Sequence, residues 1–262
     1  MRRPTVLAAA ALTAVALLSA CGSSDGDTAT PAASSATGPS GEITVFAAAS
    51  LTGSFTELGK KFEAAHPGTK VNFSFGPSSG LSTQITSGAP ADVFASASVK
   101  NMDTVVAAKA AGTPTTFAKN VMEIAVPPAN PANITALADL AKPKVKVALC
   151  AAEVPCGVGA RTVFSNAKLT VTPVTEEVDV KATLTKVQLG EVDAGIVYVT
   201  DVLAAGDKIK GIQIPADVNA ATSYPISTLT ASKNADLAKA YVDYVLSAEG
   251  AQALTDAGFE KP

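Results

Sequence analysis

Ile43-Thr44-Val45-Phe46-Ala47-Ala48-Ala49-Ser50-Leu51-Thr52 is the stretch on which the fold turns. Ile43 to Ala47 is a short apolar run of the kind that forms a buried strand. Ala48, Ala49 and Ser50 end it with small side chains, and Leu51, Phe55, Leu58 and Phe62 then recur at helical spacing. Ser54 and Glu57 stand three residues apart, as the two members of a capping box do. Strand, tight turn and amphipathic helix in quick succession make one β-α unit.

The same alternation continues outward. Pro67-Gly68 turns the chain, and Val71, Phe73 and Phe75 alternate with polar residues as a second strand. Gly76 to Gly80 break it before a short helix with Leu81 and Ile85. Further strands are expected at Ala91–Ser96, Val121–Val126, Val145–Leu149, Gly195–Val199 and Ile226–Thr230. Helices are expected near Met102–Val106, Ile134–Leu140, Arg161–Asn166, Val180–Leu189 and, as one long stretch, Ala235–Leu254. Repeated β-α units argue for parallel, doubly wound sheets covered by helices on both faces. More than 200 structured residues are expected to divide between two lobes.

The amino terminus stands apart. Arg2 and Arg3 precede an apolar run from Val6 to Leu18, too short to span a hydrocarbon core of ~30 Å as a permanent helix. It reads as a secretory signal. Leu18-Ser19-Ala20-Cys21 resembles a bacterial lipobox, which implies cleavage before Cys21 and lipid on its sulfur, so residues 1–21 are read as a lipoprotein signal peptide. Residues 22–41, rich in Gly, Ser, Thr, Ala and Pro, read as a flexible tether. The globular part is thus placed outside the cytoplasm on a membrane lipid anchor.

Composition narrows the partners. The chain is 47% hydrophobic and 16% charged, and without residues 1–21 it keeps 18 basic against 23 acidic residues, a net charge of −5. That excludes nucleic acid as an expected partner and requires any bound anion to be held by local donors. Cys150 and Cys156, with five residues between them, read as a disulfide in an exported protein, contributing about 2 kcal/mol in the chain-entropy model. Zinc does not fit that spacing, and the single His66 lies in a turn beside Pro67.

Two strand-to-helix turns carry hydroxyls, Ser50 in one and Ser78 or Ser79 in the other. Each serine alone reads as an N-cap; together, at helix starts with free N–H groups and a positive dipole end, they suit an anion. A serine hydrolase would need a base beside its nucleophile, and neither a Gly-x-Ser-x-Gly elbow nor a well-placed histidine is present. Gly157-Val158-Gly159 has Thr162 where a dinucleotide fingerprint needs glycine, and Glu176-Glu177 reads as a solvated loop.

Four ordered motifs carry a family resemblance across residues 42–262: Ile43–Thr52, Gly88-Ala89-Pro90-Ala91-Asp92-Val93-Phe94-Ala95-Ser96-Ala97, Val154-Pro155-Cys156-Gly157 and Gly195-Ile196-Val197-Tyr198. They resemble bacterial periplasmic molybdate-binding proteins. The resemblance implies a two-lobed type II periplasmic-binding-protein fold of α/β class with two hinge crossings: lobe I from residues 42–120 plus 227–262, lobe II from residues 121–226. It implies a monomer without cofactor or enzymatic activity that binds molybdate or tungstate and delivers it to an ABC permease and ATPase. The oxyanion is then held by the hydroxyls of Ser50, Ser78 and Tyr198 and by backbone N–H groups of Ser78, Cys156 and Val180, with no direct ligand to molybdenum. Another tetrahedral oxyanion such as sulfate is the alternative ligand. If bridged, Cys150 and Cys156 would brace the loop that presents the Cys156 N–H. A fully ionised dianion only accepts hydrogen bonds, so a lining of neutral N–H and O–H donors matches it.

Overall fold

The computed structural model describes residues 38–262. The expected signal peptide, the expected lipidation site Cys21 and most of the expected tether lie outside the described residues; Gly41, expected to end the tether, already belongs to the first strand.

The chain runs β1 (Gly41–Ala48), a 3-10 turn (Ala49–Leu51), α1 (Thr52–Ala65), β2 (Thr69–Gly76), α2 (Ser78–Thr86), β3 (Val93–Ala95) and α3 (Val99–Ala107). It then passes along β4 (Thr115–Val126) into β5 (Val147–Cys150), α4 (Pro155–Asn166), β6 (Thr175–Glu177), α5 (Val180–Gln188), β7 (Ala194–Tyr198), α6 (Val199–Ala205) and β8 (Lys210–Gln213). It returns along β9 (Ala221–Thr228) to α7 (Ala235–Leu246) and α8 (Ala248–Asp256).

The strand order is β2-β1-β3-β9-β4-β7-β5-β6, with β8 paired to β4. β1 is parallel to β2 and β3, and β5 is parallel to β6 and β7, as β-α units dictate. β4 and β9 depart from the all-parallel expectation: they pair antiparallel from Thr115↔Ile226 to Val121↔Ala221, and each also pairs antiparallel with a strand beyond, β9 with β3 and β4 with β7. Direct pairing of two strands that cross between the halves in opposite directions produces that reversal.

Three sets of apolar side chains fill the two halves, one on each face of β1 in the first and one in the second. In the first, β1 alternates: Ile43, Val45 and Ala47 meet α1, α7 and α8 on one face, and Phe46 meets α2 and α3 on the other. In the second, Ile124, Val147, Leu149, Val163, Leu184 and Ile196 pack around β5 and β7. Tyr224 and Ile226 belong to the first core and Ala220 to the second, so β9 leaves one packing environment for the other between residues 220 and 224.

Several elements differ from the sequence expectation for local reasons. The capping pair of Ser54 and Glu57 does not form; Ser54 Oγ instead donates to Leu51 O at 3.2 Å. The long terminal helix breaks at Ser247, which ends α7 and caps α8 by accepting from Gly250 N at 3.2 Å. Gly250 fits there because a side chain would overlap the Val245 carbonyl. α4 begins at Pro155, six residues before the expected start, because proline at the first helical position surrenders only an N–H that has no partner in the helix. Glu176-Glu177 lies in edge strand β6 rather than a solvated loop, and Arg161 holds Glu176 by an ion pair.

Candidate functional site

The parallel register brings the carboxyl ends of β1, β2 and β3 level: Ala48 lies opposite Gly76, and Ala47 opposite Ala95. The segments that follow are therefore neighbours, and they hold Ser50, Ser78 and Ala97. In the other half, β5 and β7 run parallel, and the turns beyond them start α4 and α6. Crevices at the carboxyl ends of parallel strands are where open α/β sheets take ligands.

One pocket of about 20 Å³ lies where these ends meet. That is room for very few water-sized groups, not for an organic substrate. Ser50, Ser78, Cys156, Val180 and Tyr198 all line it, with Ala48, Ala49, Gly76, Pro77, Ala97, Val154, Pro155 and Asp179. The five residues singled out from the sequence are thus brought together, and all five are buried. No lysine or arginine is among the lining residues.

The helix starts supply N–H donors. Ser78 is the first residue of α2, Cys156 the second of α4, and Val180 the first of α5. N–H groups in the first turn have no partner within their own helix, and the helix dipole makes that end positive. Gly157 lets α4 start close against the end of β5: a side chain there would overlap the Ala151 carbonyl oxygen. Cys150 and Cys156 are joined by a disulfide with Cα atoms 5.7 Å apart, tying the last residue of β5 to the first turn of α4. Cys156 sits on a helix rather than on the expected loop. Cys150 Sγ also lies 3.4 Å from Thr183 Oγ1 on α5, so the bridge touches both helices that face the pocket from this half.

The hydroxyls are not N-caps. Ala48 precedes the 3-10 turn and Pro77 precedes α2 at the cap positions, and neither serine fills that role. Ser78 Oγ accepts a hydrogen bond from Ala97 N at 3.0 Å, which occupies the oxygen and leaves the hydroxyl proton free. Ser50 Oγ and Tyr224 Oη lie 2.9 Å apart. Tyr198 Oη is buried without a hydrogen-bond partner. Burial pushes its phenol well above the usual tyrosine range; Thr222 and Tyr224 stand close enough to pull it part of the way back, without forming a hydrogen bond to it. A buried phenol that keeps its proton and lacks a partner is a donor in waiting.

Two carboxylates stand near this lining. Asp179 caps α5 by accepting from Ala182 N at 2.9 Å, which holds one of its oxygens toward the helix. Asp201, fully buried, accepts from Tyr198 N at 3.2 Å. Lys181 Nζ lies 2.8 Å from Asp201 Oδ1, an attraction of charges whose angles fall outside those of a hydrogen bond. Burial raises the Asp201 carboxyl above its usual range, and Lys181 opposes that shift. Lys181, next in the chain to Val180, is thus engaged by a carboxylate.

Sequence reading missed Asp179, Ala97, Gly157 and Tyr224. Asp179 had a local signal, an acidic residue just before the helical run of Val180, Leu184 and Val187. Tyr224 had none, being 174 residues from Ser50. His66, the histidine a hydrolase would have needed, ends α1, stacks on Phe62 at 4.2 Å between ring centres and does not line the pocket.

Residues 43–260 match the model of the bacterial extracellular solute-binding protein family. The chain is 42% identical over 251 residues to the molybdate-binding protein ModA of Mycobacterium tuberculosis, which covers 95% of this chain and 94% of that one. Its fold is similar to the periplasmic molybdate-binding protein of Azotobacter vinelandii, with a TM-score of 0.73 at 19% identity over 84% of this chain and 99% of that one. It is equally similar to the sulfate-binding protein SubI of Mycobacterium tuberculosis, with a TM-score of 0.74 at 18% identity over 84% and 86%. The fold by itself therefore does not choose the anion.

Proposed function

The chain belongs to the bacterial extracellular solute-binding proteins and, among them, to the molybdate-binding ModA family, and on that premise we propose that it captures molybdate, with tungstate as a second ligand, and delivers it to an ABC permease and its ATPase. The observation that carries this reading is the lining of one small pocket by neutral donors from both halves: Ser50 and Ser78 from one, Cys156, Val180 and Tyr198 from the other. A dianion without protons offers only acceptors, so every such donor finds a partner. Away from bulk water those hydrogen bonds are strong, because the local dielectric is low. Molybdenum itself takes no protein ligand in this reading.

The same proposal places the protein outside the cytoplasm, lipidated at Cys21 and standing off the membrane on residues 22–41. It works as a monomer, without catalysis. Lobe I comprises residues 42–120 and 227–262, and lobe II residues 121–226, with the anion between them.

Titration calorimetry with molybdate, tungstate, sulfate and phosphate tests the reading. Tight binding of the first two and weak binding of the others is expected, because a pocket shaped for the larger ions closes poorly on smaller ones. Sulfate binding tighter than molybdate would replace this reading with that of a sulfate carrier.

A further inference from the structure

Ser78 and Ser50 line the same pocket, but they are supported differently. Ala97 N can only donate, so Ser78 Oγ must accept from it and its own proton is left for the pocket. Ser50 faces another hydroxyl, Tyr224 Oη at 2.9 Å, and either oxygen could carry the shared proton. The direction matters. If Ser50 donates to Tyr224, it turns a lone pair toward the ligand, and an acceptor-only anion is repelled. If Tyr224 donates to Ser50, the Ser50 proton points at the anion.

The surroundings of Tyr224 favour the second arrangement. Its ring is fully buried and held by Phe117, Tyr198 and Phe259, with ring centres 6.2, 6.1 and 5.4 Å away and edge-to-face contacts. The oxygen cannot swing away from Ser50 without disturbing that packing. Asn120 lies beside the phenol oxygen. The Asn120 carbonyl already accepts from Val121 N at 3.0 Å, and its amide nitrogen donates to Thr200 Oγ1 at 2.8 Å with a second N–H to spare. The spare N–H of Asn120 can thus meet the phenol oxygen, and an acceptor-only ligand requires the same direction, because Ser50 can turn its proton to the anion only when its oxygen receives that of Tyr224. A phenol oxygen that receives an N–H keeps its own proton for its other neighbour.

We propose that Tyr224, which does not line the pocket, is a positioning residue for the oxyanion: it donates its proton to Ser50 Oγ and thereby fixes the Ser50 hydroxyl as a donor to the ligand. Tyr224 does for Ser50 with a side chain what the Ala97 N–H does for Ser78 directly. It also sets specificity. An oxyanion bearing a proton toward Ser50 would meet a second proton there, so the device rejects protonated anions and admits fully ionised ones.

The inference rests on the molybdate reading, and a double-mutant cycle read by molybdate calorimetry on the full chain separates the two. Tyr224→Phe keeps the ring and removes the proton. In the otherwise unaltered protein it is expected to weaken molybdate binding about tenfold, the loss of one oriented hydrogen bond to a charged ligand. On a Ser50→Ala background the same change is expected to cost less than about twofold, because the residue it acts through is gone. Equal losses on both backgrounds, or none on either, overturn the inference. Failure of the unaltered protein to bind molybdate overturns the functional reading and this inference with it. Should Tyr224→Phe not fold, neutron diffraction of the deuterium-exchanged molybdate complex reads the same point: a deuteron on Tyr224 Oη directed at Ser50 supports it, and one on Ser50 Oγ directed at Tyr224 refutes it.

Discussion

The two walls of the pocket solve one problem in different ways. The wall built from the ends of β1 and β2 offers serine hydroxyls, each held against a fixed neighbour, Ala97 N for Ser78 and Tyr224 Oη for Ser50. The wall built from the starts of α4 and α5 offers backbone N–H groups at Cys156 and Val180, whose side chains supply no hydroxyl, and Tyr198 at the end of β7 adds one hydroxyl beside them. A hydroxyl must be oriented by something else, whereas a helix N–H is oriented by the helix. The first wall should therefore be sensitive to side-chain chemistry, and the second to where its helices sit.

Gly157→Ala tests the second half of that contrast and should have the largest effect. The added carbon overlaps the Ala151 backbone, so α4 must back away from β5 and carry the Cys156 N–H with it. A stability loss of about 3 kcal/mol is expected from such overpacking, read as a fall in melting temperature of roughly 6–12 °C for a chain of this size. Molybdate affinity should fall in parallel, and an unchanged melting point and affinity would show that the close approach is not needed.

Next in size is the contrast itself. Ser78→Ala removes a hydroxyl donor to a charged ligand, for which a loss of about 10- to 100-fold in molybdate affinity is expected by calorimetry. Val180→Ala keeps the N–H and trims only its side chain, so affinity should stay within about twofold. If Val180→Ala cost as much as Ser78→Ala, the distinction between the walls would be broken.

The smallest effect belongs to the disulfide. Reduction frees the link from the end of β5 to the first turn of α4, and the chain-entropy model assigns the closed loop about 2 kcal/mol of folding stability. Because the bridge also touches Thr183 on α5, molybdate affinity should fall roughly threefold as well. Unchanged affinity after confirmed reduction would make the bridge a staple unrelated to the ligand.

Much of this was legible along the chain. Ile43 to Ala47 followed by the spacing of Leu51, Phe55, Leu58 and Phe62 specifies a strand and a helix, because burial of one face imposes a period on the sequence. Ser50, Cys156 and Tyr198 could be named because they stand in motifs that resemble a known family, and Ser78 because it follows a strand-ending turn and matches that family, whereas Val180 rested on the resemblance alone, in a stretch without a motif of its own. Pairing was harder to read. The antiparallel register of β4 with β9 joins residues about a hundred positions apart, and β6 and β8 are short edge strands with little apolar pattern of their own.

The sequence by itself determined the alternation of strands and helices and the cysteine pair, since each is a property of composition or of near neighbours. Only the tertiary structure decided that Ala97 N fills the oxygen of Ser78, that Tyr224 Oη stands against Ser50, and that the Tyr198 hydroxyl in the pocket is left without a partner. The physical reason is that hydrogen bonds are short-ranged and directional. Which hydroxyl is free to donate depends on atoms brought within 3 Å by the fold, and no spacing along the chain records it.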